Sequence, residues 1–376
     1  MASYTQHPIA LSLGVRQLEL IPETMRAFVL TGHGDMDKLV YHTDWPVPQI
    51  SDTEVLIKVH ACGLNNTDVN TRTAWYSKGV EENTTGSTFD SADEGDAGWG
   101  GTSIHFPRIQ GADVVGIVVA VGKDADKSLI GKRVMIDTWL RDWDAPHKKN
   151  GVGYFGSECN GGFAEYTKID HRHVHEVKSE LSHAELATFA TAWMTAEGML
   201  NRANVGADDS VLITGASGGV GSALIALAKL RGAKTIALTS AGKQDVIEAL
   251  GPTQILVRGE DTLASIKVKV VADVVAGGIF PDLINALERG GRYVTSGAIA
   301  GPITTLDIRT LYLHDLTLLG STVVPHGTFE ALIGYINDGK LAPLLAATYP
   351  LKDLHAAQQA FIDKKHVGNI VVTLDD

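Results

Sequence analysis

Nine consecutive residues, Thr214-Gly215-Ala216-Ser217-Gly218-Gly219-Val220-Gly221-Ser222, have the types and spacing to hold a phosphate. Glycines let a backbone turn tightly and approach an anion with no Cβ in the way. The N-terminus of a following helix then offers free N–H groups and a partial positive charge. The turn follows a short apolar run, Ser210 to Ile213, and precedes an Ala-rich apolar run, Ala223 to Leu230. That order predicts strand, glycine turn and helix, the context in which such a motif binds a dinucleotide. Gly215, Ser217, Gly218, Gly219, Val220 and Gly221 are therefore the expected pyrophosphate contacts.

The next strand bears on which dinucleotide. A site for NADH places an acid at the end of the second strand, about 20 residues past the turn, to accept from the ribose hydroxyls. Here the stretch Thr235 to Lys243 has no acid, and none lies between Ser222 and Gln244. Thr239 and Ser240 offer hydroxyls and Lys243 a cation, which suits a 2′-phosphate and favours NADPH. The plainer reading of Lys243 is a solvated lysine at a helix start.

Alternating strand and helix surround this site. A helix is expected over Leu181 to Asn201, with Ser182 as N-cap and Glu185 three residues on. Then come strand 211–214, helix 220–230, strand 235–238, helix 244–250, strand 254–257, strand 270–275, a helix around Asp282–Arg289 and a strand at 290–294. This rhythm implies an α/β domain, a doubly wound parallel sheet covered by helices. Before it, from Met25 to about His175, runs such as Met25–Leu30, Glu54–Val59 and Val114–Val121 with dense glycine punctuation predict a β-rich unit. After Gly320 a helix is expected over Phe329–Asp338, then Leu354–Lys364 and a strand at Asn369–Thr373.

The chain has 376 residues, a length that suggests two domains, and a net charge of −12, which argues against nucleic acid or an anionic membrane as partner. Two cysteines, Cys62 and Cys159, exclude a disulfide framework and suit a reducing compartment, the cytoplasm. No apolar run reaches the length of a membrane span. Residues 1–24 form a poor signal peptide and read as an N-terminal extension, or as sequence ahead of a second start at Met25. The stretch Gly79 to Pro107 holds six acids (Glu81, Glu82, Asp90, Asp93, Glu94, Asp96) and no Lys or Arg. It reads as a solvated surface insertion or, alternatively, as a mobile lid whose Trp99 faces a pocket. His171, His173 and His175 alternate, so on a strand they would share one face; an exposed polar strand is the plainer reading, a metal site the sharper one.

The chain resembles a medium-chain dehydrogenase/reductase. The resemblance rests on Met25-Arg26-Ala27-Phe28, Gly63-Leu64-Asn65-Asn66-Thr67-Asp68, Gly111-Ala112-Asp113-Val114-Val115-Gly116, Gly131-Lys132-Arg133-Val134, Gly161-Gly162-Phe163-Ala164-Glu165-Tyr166, the glycine turn and Gly368-Asn369-Ile370-Val371-Val372. It implies a GroES-like catalytic domain over 25–180 and 321–376, a Rossmann domain over 181–320, a cofactor in the cleft between them, and a homodimer joined through the Rossmann sheets. The positions at which the alcohol dehydrogenase branch carries zinc ligands hold Asn65, Ala112 and Thr191 here. None is an ordinary zinc ligand, so no catalytic zinc is expected. The chain then resembles the zinc-independent quinone oxidoreductase branch. In that branch the Asn matching Asn65 lies near the nicotinamide, the residues matching Asp68 and Arg72 recur, and a Tyr often stands where this chain has Asn70.

The expected function is hydride transfer from NADPH to a small-molecule quinone or conjugated enone, whose developing charge hydrogen-bond donors can hold without a metal. Asn65, Thr67, Asn70 and Tyr76 are the candidate donors, with Thr67 or solvent completing proton transfer. Each is equally well read as a structural polar residue. Thr195 and Asn369 are expected at the cofactor, and Trp75, Trp99 and Trp139 at an aromatic wall. The alternatives are a zinc-free carbonyl or alcohol oxidoreductase, and an NADPH-binding protein with little turnover.

Overall fold

Val211, Leu212 and Ile213 have almost no exposed surface, and their strand, Ser210–Ile213, is central to a parallel sheet. The computed structural model describes residues 16–17 and 20–374. Among them, six strands form this sheet in the order Gln254–Val257, Lys234–Thr239, Ser210–Ile213, Val268–Asp273, Leu287–Thr295 and Thr317–Gly320, every neighbouring pair parallel. Counted along the chain this is the order 3-2-1-4-5-6, and it reverses direction beside the first strand. A crevice opens there at the strands' carboxyl ends, where open α/β sheets bind ligands.

A second, largely antiparallel sheet is built on Glu54–Gly63 and Asp113–Val121. The chain's last strand, Asn369–Thr373, returns to pair antiparallel with Ala61–Gly63 and parallel with Leu345–Pro350. The helix Thr328–Asn337, which also follows the parallel sheet, packs instead with the Ala190–Arg202 helix. Most of the expected extension 1–24 lies outside the described residues. No helix among the described residues is long and apolar enough to cross a membrane.

Three expectations change. The helix expected over 181–201 is two, His183–Leu186 and Ala190–Arg202. Its start is as expected, since Ser182 Oγ accepts from the Glu185 amide and Glu185 Oε2 from the Ser182 amide. The break comes where the Thr188 hydroxyl donates to the Glu185 carbonyl at 2.7 Å, taking an acceptor that a continuing helix would use. The helix expected to reach Arg289 stops at Asn285, because buried Leu287 pairs with Val268 in the sheet. The three histidines do not share a strand face. His171 and His173 lie in a 3-10 turn and His175 in the strand Val174–Glu176. His173 is buried against Trp143 and His175 packs on Phe329, so neither a metal site nor a solvated strand describes them.

Candidate active site

The predicted strand-turn-helix folds as Ser210–Ile213, the glycine turn and Gly219–Leu230. Gly215 has φ +58, a conformation that favours glycine, and a Cβ on Gly221 would run into the Gly215 carbonyl. Gly218 is the helix N-cap and supplies no side-chain cap, so the first helical N–H groups remain available to an anion. A Cβ on Gly218 would meet only the Gly215 carbonyl, at 3.5 Å; otherwise the space in front of it is free. The returning tail closes the other side. The Gly368 amide donates to the Ser217 carbonyl at 2.9 Å, and Asn369 lies against Gly219.

These residues line a cleft of about 500 Å3, the size of a cofactor site. The polar end collects Thr239, Ser240, Lys243, Arg258, Lys364 and His366, and among the described residues no Asp or Glu lines the cleft. The Thr239 hydroxyl is buried without a hydrogen-bond partner. Lys243 Nζ donates to the carbonyls of Lys364 (2.7 Å) and His366 (2.9 Å), so it is held in place rather than loosely solvated. Burial and the nearby Arg258 lower its pKa. The Lys364 stem is exposed, but its ammonium is tucked 3.7 Å from the Phe361 ring centre and donates to Asn66 Oδ1 at 2.8 Å. That shelter, and then the charge of Lys243, lower its pKa as well.

Such an array fits a dinucleotide carrying a 2′-phosphate. The open glycine turn receives the pyrophosphate, the unpartnered Thr239 hydroxyl and the cations receive the further phosphate, and no carboxylate opposes it. Arg258 and Lys364 were not among the residues expected at this end. Arg258 follows the third strand and Lys364 comes from the tail, so the fold alone brings them to Lys243.

The opposite end is apolar, formed by Leu64, Ala192, Val275, Ala276, Ile279, Ile299 and Ala300, with Asn65 as its buried polar group. Of the four candidate donors Asn65 alone lines the cleft. Thr67, Asn70 and Tyr76 form a separate group beside it. Burial raises the Tyr76 pKa, which the Thr67 and Asn70 side chains oppose, although Thr67 Oγ1 and Asn70 Oδ1 have no well-formed hydrogen bond. Thr195 does not line the cleft; Ala192, one turn earlier on the same helix, does.

Behind Asn65 lies a buried polar cluster. Asp68 Oδ2 accepts from the Asn65 amide at 2.8 Å. Asp113 accepts from the amide and the hydroxyl of Thr191, and Thr191 Oγ1 lies 2.6 Å from the Tyr154 hydroxyl. Burial raises Asp68 to about 7 and Asp113 to about 6, and Asp113 adds to the shift of Asp68. Asn65, Ala112 and Thr191 thus present an amide, a methyl and a hydroxyl already turned to Asp113. They do not fit zinc, and no group of three His, Cys, Asp or Glu converges among the described residues. Tyr154 went unnoticed in the sequence, where it stands in a glycine-bracketed stretch without periodicity. The thiols of Cys62 and Cys159 are both pushed up by burial, which suits packing rather than nucleophilic roles.

The acidic insertion meets the cleft edge at Thr84. Arg72, fully buried, donates to the Gly86 carbonyl at 3.2 Å, and the Thr84 amide donates at 3.2 Å to the carbonyl of Ile299, a cleft residue. Trp99 packs on Trp139 and Tyr154 (ring centres 5.1 and 5.9 Å), and the Trp75 indole donates to the Glu82 carbonyl at 2.9 Å. Trp99 anchors the insertion in the core instead of facing the cleft, and none of the three expected wall tryptophans lines it.

Comparison with known proteins agrees with this architecture. Residues 51–179 match the alcohol dehydrogenase GroES-like domain and residues 219–338 the zinc-binding dehydrogenase domain. A 2-methylene-furan-3-one reductase of Solanum lycopersicum is 30% identical over 86% of this chain and 72% of its own. The quinone oxidoreductase of Homo sapiens is 26% identical over 90% and 94%. A solved structure from Sinorhizobium meliloti 1021, provisionally named an alcohol dehydrogenase, superposes with a TM-score of 0.85 at 43% identity, covering 94% of this chain and 98% of that one. The chain is an oxidoreductase of the medium-chain dehydrogenase/reductase superfamily, in its quinone oxidoreductase-like branch.

Proposed function

We propose that the protein is a zinc-independent reductase that draws on NADPH and reduces a quinone or a conjugated enone. One observation carries this reading: the cleft gathers three cations and two hydroxyls at its polar end and, among the described residues, no carboxylate along its wall. When bound, NADPH supplies a hydride from its nicotinamide ring. The glycine turn and Asn369 hold the pyrophosphate. Thr239, Ser240, Lys243 and Arg258 select the 2′-phosphate. Leu64, Val275, Ile279 and Ile299 exclude water from the reacting end. Asn65 Nδ2, buried and without a partner, donates to the oxygen on which charge develops.

The test is an NADPH and NADH titration of the purified protein, followed by NADPH oxidation with a panel of quinones, enones, aldehydes and alcohols. Tighter NADPH binding and turnover confined to quinones or enones are expected. Equal NADH binding overturns the cofactor assignment, and turnover of simple aldehydes alone overturns the acceptor class.

The protein further reads as a cytoplasmic homodimer. Thr317–Gly320 is an edge strand of the parallel sheet, and next to it Ile308, Tyr312 and Leu313 are each more than half exposed. A second copy continuing the sheet would cover both. Tyr312→Glu combined with Leu313→Glu should give a monomer in analytical ultracentrifugation; a wild-type monomer refutes the assignment.

A further inference from the structure

Asp113, Thr191 and Tyr154 form a hydrogen-bonded chain that the proposed function leaves unused. Asp113 begins its strand, Thr191 sits in the first turn of the Ala190–Arg202 helix, and Tyr154 ends a two-residue strand. The Thr191 amide donates to Asp113 Oδ1 at 2.9 Å, its hydroxyl bonds the same oxygen, and Tyr154 Oη is 2.6 Å from Thr191 Oγ1. Tyr154 is buried, its ring fixed between Trp99 and Trp139. The chain lies directly behind the cleft wall: Thr191 is half-buried, precedes the lining residue Ala192 and shares Asp113 with the lining residue Asn65. Asn65 Nδ2 lowers the Asp113 pKa by proximity yet makes no well-formed hydrogen bond, which leaves a buried donor for an incoming oxygen.

We propose that Thr191 is a catalytic residue that, with Asn65 Nδ2, binds the carbonyl oxygen of the acceptor and protonates it, Asp113 supplying the proton and Tyr154 positioning the hydroxyl. This rests on the reading of the cleft as a reductase site for conjugated carbonyl acceptors. Bound NADPH would supply the hydride, which would form a C–H bond at the carbon conjugated to the carbonyl. The double-bond pair shifts, and the negative charge arrives on oxygen. That oxygen takes the Thr191 proton, Thr191 takes the proton of neutral Asp113, and the resulting carboxylate is reprotonated from water. The enol released becomes the ketone in solution. Burial of Asp113 favours the neutral acid this step begins from, against the opposing hydrogen bonds of Thr191 and the nearby Asn65 side chain. A neutral Asp113 would donate to Thr191 Oγ1 where the carboxylate accepts from it, and the threonine's own hydrogen would then turn away from Asp113.

The test uses the full-length protein with NADPH and 2-cyclohexen-1-one or 1,4-naphthoquinone, comparing wild type with Thr191→Val, Thr191→Ser and Tyr154→Phe. Positioned proton donors contribute about 100-fold or more. Thr191→Val is therefore expected to lose about that factor in kcat, with NADPH affinity unchanged. Thr191→Ser should restore most of the rate, and Tyr154→Phe should lose less than Thr191→Val. Thr191→Val with near wild-type kcat overturns the assignment. So does a Ser variant as slow as the Val variant, or a Val variant whose NADPH affinity collapses with its rate, since each marks a structural threonine. A wild type inactive with every acceptor, whatever the variants do, instead overturns the reductase reading on which the assignment stands.

Discussion

Asn369 stands so close to Gly219 that a Cβ on the glycine would lie 2.7 Å from its side-chain nitrogen Nδ2. Asn369 is buried and cannot retreat into solvent. Gly219→Ala therefore pushes the tail off the turn and disturbs the first helical N–H groups. NADPH affinity, followed by nicotinamide fluorescence, should fall about tenfold, equivalent to roughly 1.4 kcal/mol. Asn369→Ala should soften the same site by less. Unchanged affinity in Gly219→Ala would show that the tail does not shape the cofactor site.

Arg258 is the cleaner probe of cofactor choice, because Lys243 also holds two backbone carbonyls of the tail. Arg258→Ala should lower kcat/KM with NADPH about tenfold and leave NADH unaffected, as expected for one lost charge-assisted contact. Equal losses with both cofactors would place Arg258 outside the 2′-phosphate site.

Asp68 gives the fold a pH signature. Its carboxyl is raised from 3.8 to about 7, first by burial and then by Asp113, against the opposing amides of Asn65 and Gly111. Between those values the folded chain holds a proton that the unfolded chain has lost, so this group costs stability as pH rises toward 7. The buried histidines act in the opposite sense. His173 is lowered to about 4, so its contribution is lost as pH falls below 6.5. The difference between Asp68→Asn and wild type isolates the carboxyl. The variant should gain about 2 kcal/mol on wild type between pH 5.5 and pH 7.5, read from denaturant unfolding at the two pH values. A pH-independent difference would mean that Asp68 ionises normally.

Ala276 lines the apolar end of the cleft with φ +52 and ψ −139, a conformation natural to glycine. Asp273 holds it there, its carboxylate accepting from the amides of Val275 and Ala276 and from the Thr214 and Tyr293 hydroxyls. Ala276→Gly should relieve strain and raise stability by about 1 kcal/mol, seen as a higher Tm. A lower Tm would mean that the methyl's packing outweighs the strain.

The glycine turn, its strand and helix, and the acid-free second strand were legible because they follow local rules of period and spacing. The placement of Lys243 was legible for the same reason. Arg258 and Lys364 were not, since only the strand order and the returning tail bring them to one end of the cleft. Tyr154 was hidden in a strand of two residues, too short for any alternation. Thr195 shares a helix face with the lining residue Ala192 but lies one turn further along the axis, a displacement that the resemblance alone did not carry. Trp99 was legible as an unusual aromatic in the insertion, but whether it pointed to the cleft or to the core depended on Trp139 and Tyr154, which are distant in sequence.

The pairing of Asn369–Thr373 with Ala61–Gly63, combined with the bond from Gly368 to Ser217, ties the integrity of the two halves together. One strand completes the antiparallel sheet, and the residue just before it closes the phosphate cradle. Until it docks, the facing edge of Glu54–Gly63 stays unsatisfied. Loss of this strand would leave an unfinished β-rich half and an open nucleotide site at once, so cofactor binding reports on the assembly of both.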